Sequence, residues 1–242
     1  MTKKEEPGFF SKENLKSFAI LALIVFAVRW SIASPYHVPT ASMEPSIKVG
    51  DRLIANKLAY GLKVPFTDYE LLSWAKPERG DIIVFKFPDD PALDYVKRVV
   101  GVAGDRLRIR NNILYVNDEA QPMELANSER EFLSDIEDNP ESKDLYQETL
   151  NGEKHWVIIR KPEMRIIDMG DWPPVGSPDH VVSENSVFCI GDNRDNSRDS
   201  RAWGEVPMDH VRGRASFVLW SMYHPKDSWL KMRWNRFGFR LY

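Results

Sequence analysis

The 242-residue sequence predicts a mainly β chain preceded by one apolar segment near its amino terminus. Short apolar runs are punctuated by Gly, Pro, Asn and Asp at strand-like intervals, and sustained 3.6-residue periodicity is hard to find. A single unbroken apolar run, Phe18 to Val28, stands apart from them. Hydrophobic residues make up 43% of the chain and aromatic ones 12%, enough for a packed core in one large domain or two small ones. The formal net charge of -3 gives no overall basic field, so no nucleic acid is expected as a partner.

The apolar run follows Lys3, Lys4, Lys12 and Lys16 and continues through Arg29-Trp30 to Ile32 and Ala33. A hydrocarbon layer of roughly 30 Å needs about 20 helical residues, more than the uncharged run supplies. Counting from Phe18 to Val38 gives the length, with Arg29 snorkelling to the far interface and Trp30 at headgroup level. A cleaved secretory signal is the competing reading, because a basic start, a short apolar run and small residues at Ser31 and Ala33 fit it too. An uncleaved anchor over residues 17–36 is the expectation adopted, with 1–16 in the cytoplasm. Either reading places the remainder on the non-cytoplasmic side of a membrane, since the lysines precede the segment.

Beyond it, the strand candidates are residues 52–55, 81–87, 95–101, 106–110, 113–116, 155–159, 187–190 and 215–220. Asn111-Asn112 is placed as a tight hairpin turn, because Asn tolerates positive φ. Segments 119–153 and 160–185 are polar and proline-interrupted, like the long loops of an inserted lobe. The expected organisation is a β domain from 37–110 and 184–242, with 111–183 inserted as a second β lobe. Residues 118–148 carry eleven acidic side chains against Arg130 and Lys143, which reads as a solvated surface. Cys189, the single cysteine, cannot form an intrachain disulfide and reads as a small apolar filler in a strand.

Three stretches carry the chemistry. In Val38-Pro-Thr-Ala-Ser-Met-Glu-Pro-Ser46, two prolines stiffen a loop that presents a serine, although a serine between prolines is usually a plain turn residue. In Asp94-Tyr-Val-Lys-Arg-Val-Val-Gly-Val-Ala-Gly-Asp105, Lys97 falls within an apolar strand and shares a face with Tyr95 and Val99. It reads as an edge gatekeeper, a snorkelling side chain or, if buried, an amine whose pKa desolvation lowers toward neutrality. Gly101-x-x-Gly104 lacks the third glycine of a dinucleotide fingerprint and the Lys-Ser/Thr of a phosphate loop. The third stretch, Gly191 to Gly204, is dense in Asp, Asn, Ser and Arg. No register of it supplies both the sixth-position glycine and twelfth-position carboxylate of a calcium loop. A polar knot held by Asp–Arg pairs fits better.

Taken together and in order, Ser42-Met43-x-Pro45, Tyr95-Val-Lys97-Arg98 and Gly191-Asp-Asn-Arg-Asp-Asn-Ser197-x-Asp-Ser-Arg201 resemble the boxes of the bacterial type I signal peptidases, Ser/Lys dyad peptidases of family S26. The resemblance runs from the apolar segment to about Pro207 and takes in Gly80-Asp81-Ile-Ile-Val-Phe. It implies a signal-peptidase-like β catalytic domain with an inserted second β lobe behind one transmembrane helix. It makes Ser42 the acylated nucleophile and Lys97 its general base, with Ser197 orienting the lysine. The Ser42 N–H and the Thr40 hydroxyl would form the oxyanion hole, and Asp199 with Arg201 would be a supporting ion pair. Family members often carry Ser where this chain has Thr40. Val38, Pro39, Met43, Tyr95 and Val96, beside the boxes, are candidate walls of a substrate pocket.

The implied substrates are exported precursors cut after small residues, commonly Ala-x-Ala. The implied partners are their signal peptides, the lipid bilayer and the secretion machinery. The implied location is the bacterial cytoplasmic membrane with the catalytic domain outside. The residues agree with this chemistry, since serine needs an adjacent base and none of the five histidines lies in the three boxes. His and Cys show no metal-ligand spacing, so no metal or cofactor is expected. The aromatic and basic stretch from Trp220 to Tyr242 suits either anionic lipid or ordinary strands with a charged tail. Two rivals remain: a Ser/Lys autoprotease of the repressor type, which lacks support from any recognition helix-turn-helix, and a membrane-tethered β binding module with structural boxes.

Overall fold

The computed structural model describes residues 11–64, 67, 69–164, 171–223 and 230–241. Lys3, Lys4, His224 and Lys226 lie outside them. The chain opens with helix α1 (Lys12–Ser31) and passes directly into strand β1 (Ala33–His37). The anchor expected over 17–36 is therefore helical only to Ser31, and its last residues belong to a sheet. Among the described residues no helix is long and apolar enough to cross a membrane. Leu15, Phe18, Ile20, Leu21, Leu23 and Val25 of α1 are exposed.

The strands follow in order. β2 spans Asp51–Asn56, and β3 (Gly61–Lys63) pairs with β4 (Glu70–Ser73) as a short hairpin. β5 is Ile82–Phe87 and β6 is Asp90–Val102, the latter extending beyond the expected run in both directions. β7 (Arg106–Arg110), β8 (Ile113–Val116) and β9 (Glu119–Ala120) form a meander. β10 (Met123–Leu125), β11 (Lys143–Leu150) and β12 (Glu153–Arg160) form a second small sheet. β13 (His180–Val181) joins β7 at the edge of the first. β14 is Ser186–Ile190, the short helix α2 is Ser200–Trp203, and β15 (Val206–Pro207), β16 (Val211–Tyr223) and β17 (Lys231–Met232) complete the chain.

The principal sheet runs β1-β2-β16-β5-β6-β14-β15 with β17 on β16, and its pairings are antiparallel. Its central strand β5 is covered on both faces. Ile82 and Val84 join Val38, Met43, Ile47, Leu53, Ala55, Ala215 and Val218 on one side. Ile83 and Phe85 join Val99, Val187, Cys189, Val206 and Val211 on the other. Burial on both faces is why this segment reads as a continuous apolar run rather than an alternating one. Each such Val, Leu, Ile or Phe contributes about 1.5–3 kcal/mol relative to an exposed position.

Asn111 and Asn112 take φ of 52° and 64° and close the β7–β8 hairpin, as their amide side chains allow. A division of the chain at 110/111 thus falls inside one hairpin, and β7 belongs with β8 in the small meander. β11 lies within a segment expected to be loop. Its buried positions include Lys143 and Glu148 beside Leu145 and Leu150, so charge hides the alternation that marks a strand.

Candidate active site

The loop between β1 and β2 is closed by hydrogen bonds from Val38 N to Asp51 O (3.0 Å) and from Gly50 N to Val38 O (3.0 Å). Within it, Ala41–Met43 make one 3-10 turn, tightened by Glu44 N donating to Ala41 O at 3.1 Å. Met43 is fully buried in the core beneath the loop, which fixes the turn and leaves Ser42 Oγ free to face a cleft.

Lys97 sits opposite Ile83 of β5, with β14 on the other side of its own strand, so it lies in the middle of the sheet. That position removes the edge-gatekeeper reading. Its side chain is 4% exposed, and Nζ donates to Ser42 Oγ at 2.7 Å and to Val96 O at 3.0 Å. Desolvation pushes the amine down to about 8, against the opposing pull of Asp199 and of the other acidic groups around it. The Tyr95 ring centroid lies 5.4 Å from Nζ. A buried amine that gives up its proton near pH 8, in contact with a hydroxyl, can in its neutral form accept that hydroxyl's proton.

Behind the pair, the 191–201 stretch folds as a knot of charge. Arg201 holds Asp199 bidentately, Nε to Oδ1 and Nη2 to Oδ2 both at 2.8 Å, and Asp199 Oδ2 also accepts from Gly191 N at 3.0 Å. Those donors keep the Asp199 carboxyl low despite burial. Asp192 is held by Arg98 in the same two-pronged way at 2.9 and 2.8 Å, with both side chains buried. Ser197 Oγ is buried against Gly191 beside the Asp199 carboxylate, which its hydroxyl helps to hold low, and no hydrogen bond joins it to Lys97 among the described residues. Thr40 Oγ1 lies 3.5 Å from Ser42 Oγ. Cys189 is fully buried, and burial pushes its thiol up, which leaves it without nucleophilic character.

The cleft in front of Ser42 and Lys97 holds about 310 Å³. Val38, Pro39, Tyr95 and Val96 line it together with Tyr36, His37, Leu53, Val84, Asp94, Asn196 and Arg198, which sequence reasoning did not find. Met43, expected as a wall, is not one: its side chain points into the core. Tyr36 and His37 escaped notice because they fall at the end of the apolar segment, where a strand was not expected. Asn193 was also missed as an individual residue. Its backbone N–H donates to Ser42 O and its Nδ2 to Ala41 O, both at 3.1 Å. The polar density of its stretch was the only signal for it.

Comparison with known proteins gives the lineage of this arrangement. The family described as "Signal peptidase, peptidase S26" matches residues 11–220. A protein named Signal peptidase I from Pseudomonas fluorescens is 34% identical over 226 residues, spanning 89% of this chain and 74% of the relative. One of the same name from Aquifex aeolicus is 32% identical over 231 residues, spanning 87% of this chain and 84% of that one. A crystal structure of a signal peptidase I from Enterococcus faecalis is 26% identical and covers 60% of this chain and 100% of its own, at a TM-score of 0.36, an overlap too slight to bear on the fold. Matched by the family over most of its length and by relatives at a third identity, the chain belongs to the signal peptidase family, peptidase S26, and is a serine-type peptidase.

Proposed function

We propose that the chain removes amino-terminal signal peptides from exported precursor proteins, cutting after small residues in the Ala-x-Ala manner through an acyl-enzyme on Ser42 with Lys97 as general base. The observation that carries this reading is the 2.7 Å contact between Lys97 Nζ and Ser42 Oγ, made by an amine pushed down to about 8. Neutral Lys97 takes the hydroxyl proton as Ser42 Oγ attacks the scissile carbonyl. The resulting ammonium gives that proton to the departing amine as the C–N bond breaks. Lys97 then takes a proton from water, whose oxygen attacks the ester, and returns it to Ser42 Oγ as the ester C–O bond breaks.

In this reading the Ser42 N–H and the Thr40 hydroxyl receive the oxyanion, a donor of this kind being worth about 3–4 kcal/mol in the transition state. Ser197, buried beside Asp199, orients the lysine, and the Asp199–Arg201 pair holds the stretch that carries it. The cleft beside Val38, Pro39, Tyr95 and Val96 selects small side chains. β1 is the edge of the principal sheet and its Tyr36 and His37 line the cleft, so an extended substrate can add to that edge by main-chain hydrogen bonds. The exposed apolar side chains of α1 support a seat at the bilayer, with the peptidase domain on the extracytoplasmic face beside the secretion machinery.

Incubation of the purified chain with an exported precursor, followed by mapping of the cut, tests the reading. Cleavage after a small residue is expected from the wild type and none from folded Ser42→Ala or Lys97→Ala. Undiminished cleavage by either variant would sink the mechanism.

A further inference from the structure

Lys143 is fully buried, on β11, and its strand lies outside the principal sheet. Its ammonium meets Asp138 Oδ2 at 2.9 Å and donates to Asn193 Oδ1 at 3.2 Å. An amide whose oxygen faces an ammonium has one orientation only, because the flipped amide would set its NH2 group against NH3+. Asn193 Nδ2 is thereby aimed at Ala41 O. The backbone of Asn193 is fixed as well. β12 flanks it through Ile158, whose N–H donates to Asp192 O and whose carbonyl accepts from Arg194 N, both at 3.0 Å.

The carbonyl of Ala41 and the N–H of Ser42 belong to the same peptide unit, which is planar with the two bonds pointing in opposite directions. Whatever fixes Ala41 O therefore fixes the direction of the Ser42 N–H. A hydrogen bond accepted at that carbonyl also polarises the unit and strengthens its N–H as a donor. The next peptide unit is held in parallel, by Asn193 N–H on Ser42 O.

We propose that Lys143 and Asn193 are positioning residues for the oxyanion hole: the buried ammonium on the small sheet orients the Asn193 amide, which holds the Ala41–Ser42 peptide so that the Ser42 N–H faces the developing charge. The inference deepens the reading of Ser42 as nucleophile and rests on it. Neither side chain touches the reacting atoms. Lys143 makes the second sheet part of the active-site support, although the strand carrying it is separated from Ser42 by about a hundred residues of sequence.

The test compares wild-type enzyme with Lys143→Met, Lys143→Arg and, as a control for loosened packing, Leu150→Ala, whose buried side chain is on the same strand within an apolar cluster that does not include Ile158. Lys143→Met is expected to lower kcat about 10- to 100-fold with KM within about twofold, the size of a weakened oxyanion donor. Its affinity for a peptide aldehyde, which forms a hemiacetal oxyanion on Ser42, should fall with kcat/KM. The pH at which the rate rises should stay where Lys97 sets it. Lys143→Arg, which keeps charge and donors, should recover at least a third of the wild-type kcat. Leu150→Ala should lose thermal stability with kcat preserved.

Equal loss of kcat in Leu150→Ala and Lys143→Met at matched folded fraction overturns the proposal, as does aldehyde affinity unchanged in Lys143→Met. If Lys143→Met does not fold, Lys143→Gln takes its place with the same readouts. Failure of the Ser42 reading itself shows separately, as cleavage that survives Ser42→Ala.

Discussion

Gly191 approaches Ser42 so closely that no side chain fits between them: a Cβ built on Gly191 would collide with the Ser42 carbonyl oxygen and with Cβ and Oγ of Ser197. The constraint is steric, and the part of it that comes from the Ser42 carbonyl is backbone, which cannot swing away as the Ser197 hydroxyl could. Gly191→Ala must push the 191–199 stretch off the nucleophile loop. Overpacking of this kind costs about 1–3 kcal/mol. The expected outcome is a lower melting temperature and a kcat reduced at least tenfold, read by thermal unfolding and single-turnover cleavage. An alanine variant with wild-type kcat would show that the contact does not position Ser42.

The depressed pKa of Lys97 predicts two effects at different pH. Activity requires the neutral amine, so kcat should climb as pH rises through about 8 and level off above it. Stability moves in the same direction. The unfolded amine holds its proton up to its ordinary value near 10.4, whereas the folded one releases it at about 8, so between these values the unfolded state binds more protons and stability rises with pH. Below pH 8 the folded protein carries a buried ammonium, a cost of about 3 kcal/mol at 1.36 kcal/mol per unit. Lys97→Met should therefore be inactive yet more stable than wild type at pH 7, with the difference shrinking toward pH 10. Urea unfolding at the two pH values checks it, and a variant less stable at both contradicts it.

Much of the sheet was legible because the strands buried on both faces, such as Ile82–Phe87 and Ser186–Ile190, bury all but one position each and carry a polar side chain only there. The segments that escaped were those whose buried positions carry charge. β11 hides Lys143 and Glu148 in its interior, and the latter is held ionised by Arg194, a residue 46 positions away. Site legibility followed the same division. Ser42 and Lys97 were found through their boxes, but their contact spans 55 residues and depends on β5 and β6 pairing in the right register. The role of Asn193 as a clamp was beyond reach, since it requires knowing which carbonyls face it. Met43 was misplaced because adjacency to the nucleophile in sequence says nothing of the side on which a 3-10 turn presents each residue.

The Arg98–Asp192 pair predicts a large asymmetry between single and double substitution. Both side chains are buried, and the guanidinium keeps the Asp192 carboxyl below its usual range. Removing one partner leaves an uncompensated buried charge, at a cost of about 3–5 kcal/mol. Arg98→Met alone should lower the urea midpoint sharply, and Arg98→Met/Asp192→Leu should regain most of it, since an apolar replacement of a buried pair is often neutral. A double variant as unstable as the single would show that the hydrogen bond from Arg98 to Gly80 O, rather than the charge pair, carries the energy.

Glu44, two residues after the nucleophile, gives the opposite pH dependence from Lys97. Its carboxyl is fully buried and burial pushes it up to about 7, only partly offset by the Glu137 N–H that donates to it at 3.0 Å and by Lys48 nearby. The charged groups of the adjoining segments are Lys48, Asp135, Glu137, Arg233 and Arg236. Between the ordinary carboxyl range and 7 the folded state binds the additional proton, so this group's contribution to stability is present below its unfolded value and is lost as pH rises through about 7. Glu44→Gln keeps an oxygen to accept from Glu137 N and removes the charge. It should match wild type at pH 5 and exceed it at pH 8 by about 3 kcal/mol, from a shift of about 2.5 units at 1.36 kcal/mol each. Because Glu44 closes the turn that presents Ser42, the substitution should also flatten any decline of activity with local loosening above pH 7. Melting temperatures of the two proteins across pH 5–8 decide the point: curves that stay parallel would mean that Glu44 is already ionised throughout, with Lys48 compensating its charge.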